Sequence, residues 1–147
     1  MIIKSVKDVL ARRPLAQVPP KAPVRRACEV LEANDFGALA VMDGETLVGV
    51  FSERDVIRRV VCRDLTPRET TVGEVMTREP FTIALDASLA DAMALMTARG
   101  FRHLPVIEGQ RVVGMLSFRD IPAEYRVMLE RYTDYRGAPR ERHRPAG

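Results

Sequence analysis

Gly49-Val50-Phe51-Ser52-Glu53-Arg54-Asp55 is written a second time in the chain as Gly114-Met115-Leu116-Ser117-Phe118-Arg119-Asp120, 65 positions further on. The same offset pairs Val18 with Ile83, Ala22 with Ala87, Ala27 with Ala92, Phe36 with Phe101, Leu39 with Leu104, Val41 with Val106, Gly44 with Gly109 and Val48 with Val113. A repeat of this length means two copies of one supersecondary unit that bury their cores together. A function carried by this chain therefore belongs to the pair.

Each copy reads the same way around the motif. Leu39-Ala40-Val41-Met42 and Leu47-Val48-Gly49-Val50-Phe51 flank Asp43-Gly44, and residues 103–116 repeat the pattern around Glu108-Gly109, so each copy has a hairpin of apolar strands about a glycine turn. Ahead of the hairpins, Val24, Ala27, Cys28 and Leu31 recur at helical spacing, as do Leu89, Ala92, Met93 and Met96. Pro23 or Ser88 starts this helix, and Gly100 follows its second copy. Short strands at 15–18 and 81–84 precede the helices, and further helices at 53–62 and 118–131 follow the hairpins. The unit is thus strand, helix, strand, strand, helix, βαββα, in an α/β (α+β) chain. Helical turns at 6–10 and 72–76 lead into the copies, and residues 63–71 link them. The first repeat is assigned to residues 5–66 and the second to 67–131, with 132–147 as a disordered basic tail.

Composition narrows the function. The chain has 147 residues, 46% hydrophobic, and a formal charge of +3. Arg136, Arg140, Arg142 and Arg144 against Glu141 supply that whole excess, so the body is neutral and no nucleic-acid surface spreads over it. No apolar run approaches the roughly 18 residues of a membrane span, and the first residues lack a secretory pattern, which places the protein in the cytoplasm. Cys28 and Cys62 stand far apart, outside any zinc-type cluster, and Cys28 reads as a small core residue. No nucleophile-base arrangement, metal-ligand cluster or phosphate-cradling glycine loop appears, so no catalysis is expected.

Ser-x-x-Asp itself has two readings. One is a capping box, with Ser52 or Ser117 as N-cap and Asp55 or Asp120 reaching back. The other is a ligand site, because a hydroxyl, a carboxylate and backbone N–H groups gathered at a strand-to-helix turn suit a nucleotide whose ribose hydroxyls donate to the carboxylate. The two are compatible.

The duplicated motif, together with Met76-Thr77 and Pro80 before the second copy and His103-Leu104-Pro105-Val106 within it, resembles tandem CBS domains, named after cystathionine β-synthase. The resemblance covers about residues 5 to 131 and extends to free-standing bacterial CBS pairs. It implies a Bateman module, two βαββα repeats about a pseudo-twofold axis with two clefts between facing sheets. It further implies a regulatory sensor with no required cofactor, binding AMP, ADP or ATP, with NAD-type dinucleotides or S-adenosylmethionine as other family ligands, and an unknown regulated protein. A homodimer is expected, through Val56, Ile57, Val60 and Val61 in one copy and Tyr125, Val127, Met128 and Leu129 in the other. The alternative is a ligand-free dimerisation or protein-interaction module on the same fold.

In the architecture the resemblance implies, each cleft takes its ribose motif from one repeat and its phosphate contacts from the other. The first cleft would hold Val50, Ser52 and Asp55, completed by Thr82 and Ile83 near the base and by Arg102, His103 and Arg119 near the phosphates. The second would hold Met115, Ser117 and Asp120, completed by Gln17, Val18 and Arg54, and would bind more weakly because Gly37 and Ala38 stand where the other copy has Arg102 and His103. Pro122 lacks an N–H for the last helix's first turns, so that helix is expected to start late or bend near Asp120.

Overall fold

The computed structural model describes residues 5–10 and 14–135; residues 136–147, which carry the arginines of the basic tail, lie outside the described residues. The elements are α1 (Val6–Val9), β1 (Gln17–Val18), α2 (Val24–Asn34), β2 (Ala38–Asp43), β3 (Thr46–Ser52), α3 (Glu53–Asp55), α4 (Val72–Val75), β4 (Thr77–Arg78), β5 (Ile83–Ala84), α5 (Leu89–Arg99), β6 (His103–Glu108), β7 (Arg111–Ser117) and α6 (Ala123–Tyr135). They form two sheets, β1-β2-β3-β4 and β5-β6-β7. In each, the short first strand runs parallel to the first hairpin strand and the hairpin is antiparallel. The duplication reaches the backbone irregularities: one hairpin is bulged between Val41 and Met42, the other between Val106 and Ile107. Gly44 and Gly109 take positive φ at the hairpin turns, the conformation that makes glycine cheap there.

α2 and α5 bury the stripes expected of them. Val24, Ala27 and Leu31 in one, and Leu89, Ala92, Met93 and Met96 in the other, sit in separate hydrophobic cores. Cys28 is half-buried against the first core, and burial pushes its thiol pKa up. Strand β2 is covered on both faces. Leu39 and Val41 enter the first core, while Ala38, Ala40 and Met42 on the alternate face are buried outside it, where β2 meets β7 of the other sheet.

The lead-in helices exchange partners. α1 precedes the first repeat in sequence, yet Val6 belongs to the second core, and its N–H donates to Ala87 O at 2.9 Å while that of Lys7 donates to Leu85 O at 3.0 Å. Reciprocally, Val72, Val75 and Met76 of α4 complete the first core, with the Val72 N–H on Ala22 O at 2.8 Å. Their passage explains the glycine of the motif. A Cβ on Gly49 would stand 2.5 Å from Met76 Sδ and 2.8 Å from Thr77 O; one on Gly114 would stand 2.9 Å from Leu10 Cδ2. Close approach of a crossing segment leaves no room for a side chain at Gly49, where backbone stands in the way, and little at Gly114, where a leucine side chain does.

Several boundaries are corrected. Of residues 15–18 and 81–84, only Gln17–Val18 and Ile83–Ala84 pair as strands. After Asp55 the chain continues as a π-helix, Val56–Val61, which buries Val60 completely, so Val60 is a core residue and not part of an exposed face. Tyr125 likewise packs against the second core. Ile57, Val61, Val127 and Met128 remain exposed, and the side chain of Leu129 lies outside the described residues. The chain breaks at Pro122 as expected: Phe118–Asp120 form a single 3-10 turn, Ile121 drops into the core, and α6 starts at Ala123 and runs to Tyr135, past Arg131. No helix among the described residues is long and apolar enough to cross a membrane.

Candidate functional site: two unequal clefts between the repeats

Both Ser-x-x-Asp turns make the capping box. The Asp55 carboxylate accepts the Ser52 N–H at 2.9 Å and the Ser52 hydroxyl at 3.1 Å, while the Asp55 N–H donates to Ser52 Oγ at 3.2 Å. Asp120 accepts the Ser117 N–H at 2.7 Å, and in the tighter 3-10 turn the Arg119 N–H also reaches Ser117 Oγ, at 3.2 Å. The capping geometry uses Asp55 Oδ2; Oδ1 faces Arg59 Nε at 3.6 Å. Arg59 in turn donates to Val75 O and Met76 O at 3.2 and 2.8 Å, tying the motif to the end of the exchanged helix α4.

The larger cleft, about 600 Å³, is walled by Val50, Ser52 and Asp55 from the first repeat and by Arg102, His103 and Arg119 from the second, all of them anticipated. Thr82 and Ile83 are not in its wall; Thr77, Pro80 and Phe81 are. The reason lies in the short strand: Ile83 is hydrogen-bonded into the sheet beside Val106, so the segment just before it borders the opening. Arg54, assigned to the second cleft, lines this one, as do Arg58, Arg59 and Arg99, which were not anticipated. Six guanidinium groups (Arg54, Arg58, Arg59, Arg99, Arg102, Arg119) thus face three carboxylates (Asp35, Glu53, Asp55). Two aromatic platforms carry some of them. The Arg99 guanidinium lies 4.6 Å from the Phe81 ring centroid, Phe81 itself being 5.7 Å from Phe101, and that of Arg102 lies 5.0 Å from Phe118.

The smaller cleft, about 310 Å³, is lined by Met115, Ser117 and Asp120, with Leu15, Ala16, Phe36, Gly37 and Ala38 across from them. Gln17 and Val18 do not reach it: Gln17 is exposed and Val18 is buried in the first core. Among the described residues its charged groups are Arg119 against Asp35 and Asp120, a negative balance where the larger cleft has a positive one. His103 and Arg119 border both clefts. A Cβ at Gly37 would lie 2.7 Å from His103 Nε2, so the absent side chain makes room for the imidazole. Burial first, then the Arg102 charge, lowers the His103 pKa to about 4, and the ring is neutral near pH 7. Among the described residues no group of three or more His, Cys, Asp or Glu could hold a metal ion.

The CBS-domain family model matches residues 6–62 and 72–124. The chain belongs to the CBS-domain family. A 17.7 kDa protein of Acidianus ambivalens is 30% identical over 132 residues, 88% of this chain and 77% of that one. A CBS-domain containing protein of Agrobacterium tumefaciens superposes with a TM-score of 0.74 at 30% identity, covering 81% of this chain and 91% of its own. A CBS domain protein of Pyrobaculum aerophilum, solved in complex with AMP, shares the fold at 24% identity and a TM-score of 0.77, covering 86% of this chain and 98% of its own. Against longer plant relatives the chain spans 57% of their length or less. These CBS-pair structures share the two-repeat architecture described above.

Proposed function

We propose that this CBS pair is a regulatory, non-catalytic module that binds an adenine nucleotide, AMP, ADP or ATP, in the larger cleft. The observation that carries the reading is the cleft's composition: a hydroxyl and a carboxylate from one repeat face a cluster of guanidinium groups drawn from both, with apolar Val50 in the same wall. Apolar wall suits a base, Asp55 Oδ1 is the oxygen the cap leaves for a ribose hydroxyl, and arginines suit phosphate. The AMP complex of the Pyrobaculum protein, which shares the fold, is in line with it. The weaker second cleft of the proposal comprises Met115, Ser117 and Asp120. A homodimer is part of the same proposal, since Ile57 and Val61 are 58% and 62% exposed, and Val127 and Met128 47% and 52%.

One observation favours a second reading. Both motifs satisfy their side chains as helix caps, which accounts for Ser and Asp without any ligand and fits a protein-interaction module. The melting temperature separates the two, because a ligand that binds the folded state must stabilise it by mass action. Millimolar AMP, ADP or ATP is expected to raise it; an unchanged melting temperature with all three favours the interaction module.

A further inference from the structure

Arg99 is the last residue of α5, and its repeat counterpart is Asn34. The counterpart is internally satisfied: Asn34 Nδ2 donates to Val30 O at 2.8 Å within its own helix. Arg99 has no such arrangement. Its guanidinium lies over Phe81 in the wall of the larger cleft, and its Nη1 is buried without a hydrogen-bond partner among the described residues. A buried charged donor left unpaired is unfavourable, and an acceptor delivered into the cleft would relieve it.

The charge balance points the same way. Six arginines against three carboxylates leave a surplus of three positive charges in the larger cleft, with His103 neutral. A nucleoside monophosphate brings about two negative charges, and each further phosphate in a chain adds another. Across the shared wall, the described residues of the smaller cleft carry the opposite balance and favour such a chain less.

We infer that the larger cleft selects ligands bearing two or more phosphates over monophosphates, and that Arg99 is a specificity-determining contact to the phosphate chain. This rests on the adenine-nucleotide reading of the cleft and deepens it.

Calorimetric titration of the full chain in EDTA with AMP, ADP, ATP and inorganic triphosphate tests it, alongside Arg99→Met, which keeps an unbranched apolar side chain over Phe81 and removes the charge. ADP and ATP are expected to bind about tenfold or more tightly than AMP, the worth of one charge-assisted contact. Arg99→Met is expected to weaken ATP by about tenfold and to leave the melting temperature of the free protein unchanged or raised, a combination that a merely structural arginine would not give. Equal affinities for AMP and ATP, or an Arg99→Met protein that binds ATP like the parent, overturn the inference while the nucleotide reading stands. Triphosphate binding that depends on Arg99 but gains nothing from an attached adenosine overturns the nucleotide reading and supports the phosphate assignment. If none of the four binds, both fall.

Discussion

The two clefts start from the same Gly-x-x-Ser-x-Arg-Asp pattern and, among the described residues, end with opposite charge. After β3 the chain enters α3 and continues without a break into the π-helix, which brings Arg54, Arg58 and Arg59 to the larger cleft together with Asp55. After β7 the same motif makes one 3-10 turn and stops at Pro122; of its arginines only Arg119 lies in the smaller cleft, beside Asp120. Across the gap, Arg102 and His103 occupy the slots where the first copy has Gly37 and Ala38. Duplication thus supplied the scaffold twice, and divergence at a few positions around the motif made the sites different. A π-helix within a duplicated element is itself a common mark of a functional site.

The largest expected effect concerns His103, which has no partner in kind in the first repeat. Its folded pKa of about 4 lies below the ordinary value of 6.5, so between those values the unfolded chain takes up a proton that the folded chain refuses. Stability that is full above pH 6.5 is therefore lost as the pH falls and is gone near pH 4. The linkage amounts to roughly 3 kcal/mol. Urea unfolding at pH 7 and pH 4.5 should show His103→Gln losing less stability than the parent over that interval; equal losses would mean the imidazole is not the acid-sensitive group.

Next come the motif glycines. The Cβ of Gly49→Ala would press on the Thr77 carbonyl, a backbone atom, whereas that of Gly114→Ala meets only the end of the Leu10 side chain. Overpacking against backbone should cost about 2 to 3 kcal/mol, and against a movable leucine about 1 kcal/mol or less. Chemical denaturation of both variants measures the gap, and a reversed order would show that the two crossings are not held as described.

The smallest effect is on binding. Asp55→Ala or Arg102→Ala should weaken nucleotide binding about tenfold or more, and Asp120→Ala should leave the tighter phase nearly intact, since a charge-assisted contact is worth about 1.5 to 3 kcal/mol. Equal losses from Asp55→Ala and Asp120→Ala in calorimetric titration would remove the asymmetry.

Most of the fold was legible because the helices and hairpins are spelled twice. Periodicity in Val24-Ala27-Leu31 recurs in Leu89-Ala92-Met96, and the glycine turns recur at Gly44 and Gly109. What the spelling hid is long-range. α1 and α4 read alike, and nothing local says that each crosses to the other repeat, because the decisive contacts join Val6 to Ala87 and Val72 to Ala22. The cleft wall was misplaced by two residues, at Thr82-Ile83 instead of Pro80-Phe81, because a strand's hydrogen-bonded span cannot be read to the residue from four apolar positions. Arg58, Arg59 and Arg99 were not among the expected cleft residues. Their signal lay in departures from the repeat: Arg99 stands against Asn34, as Arg102 stands against Gly37.

The exchange of α1 and α4 also sets an order in time. α1 leaves the ribosome before the rest of the core it must join, Leu89 to Ile121, has been made. The first core, by contrast, closes once Met76 is made. α1 therefore waits through the synthesis of both hairpins, and its docking is a loop-closure step that can occur only after the second hairpin exists. Severing the linker at residues 63–71 would leave each half without a piece of its own interior, so the repeats, although separate in sequence, mature as a single cooperative unit.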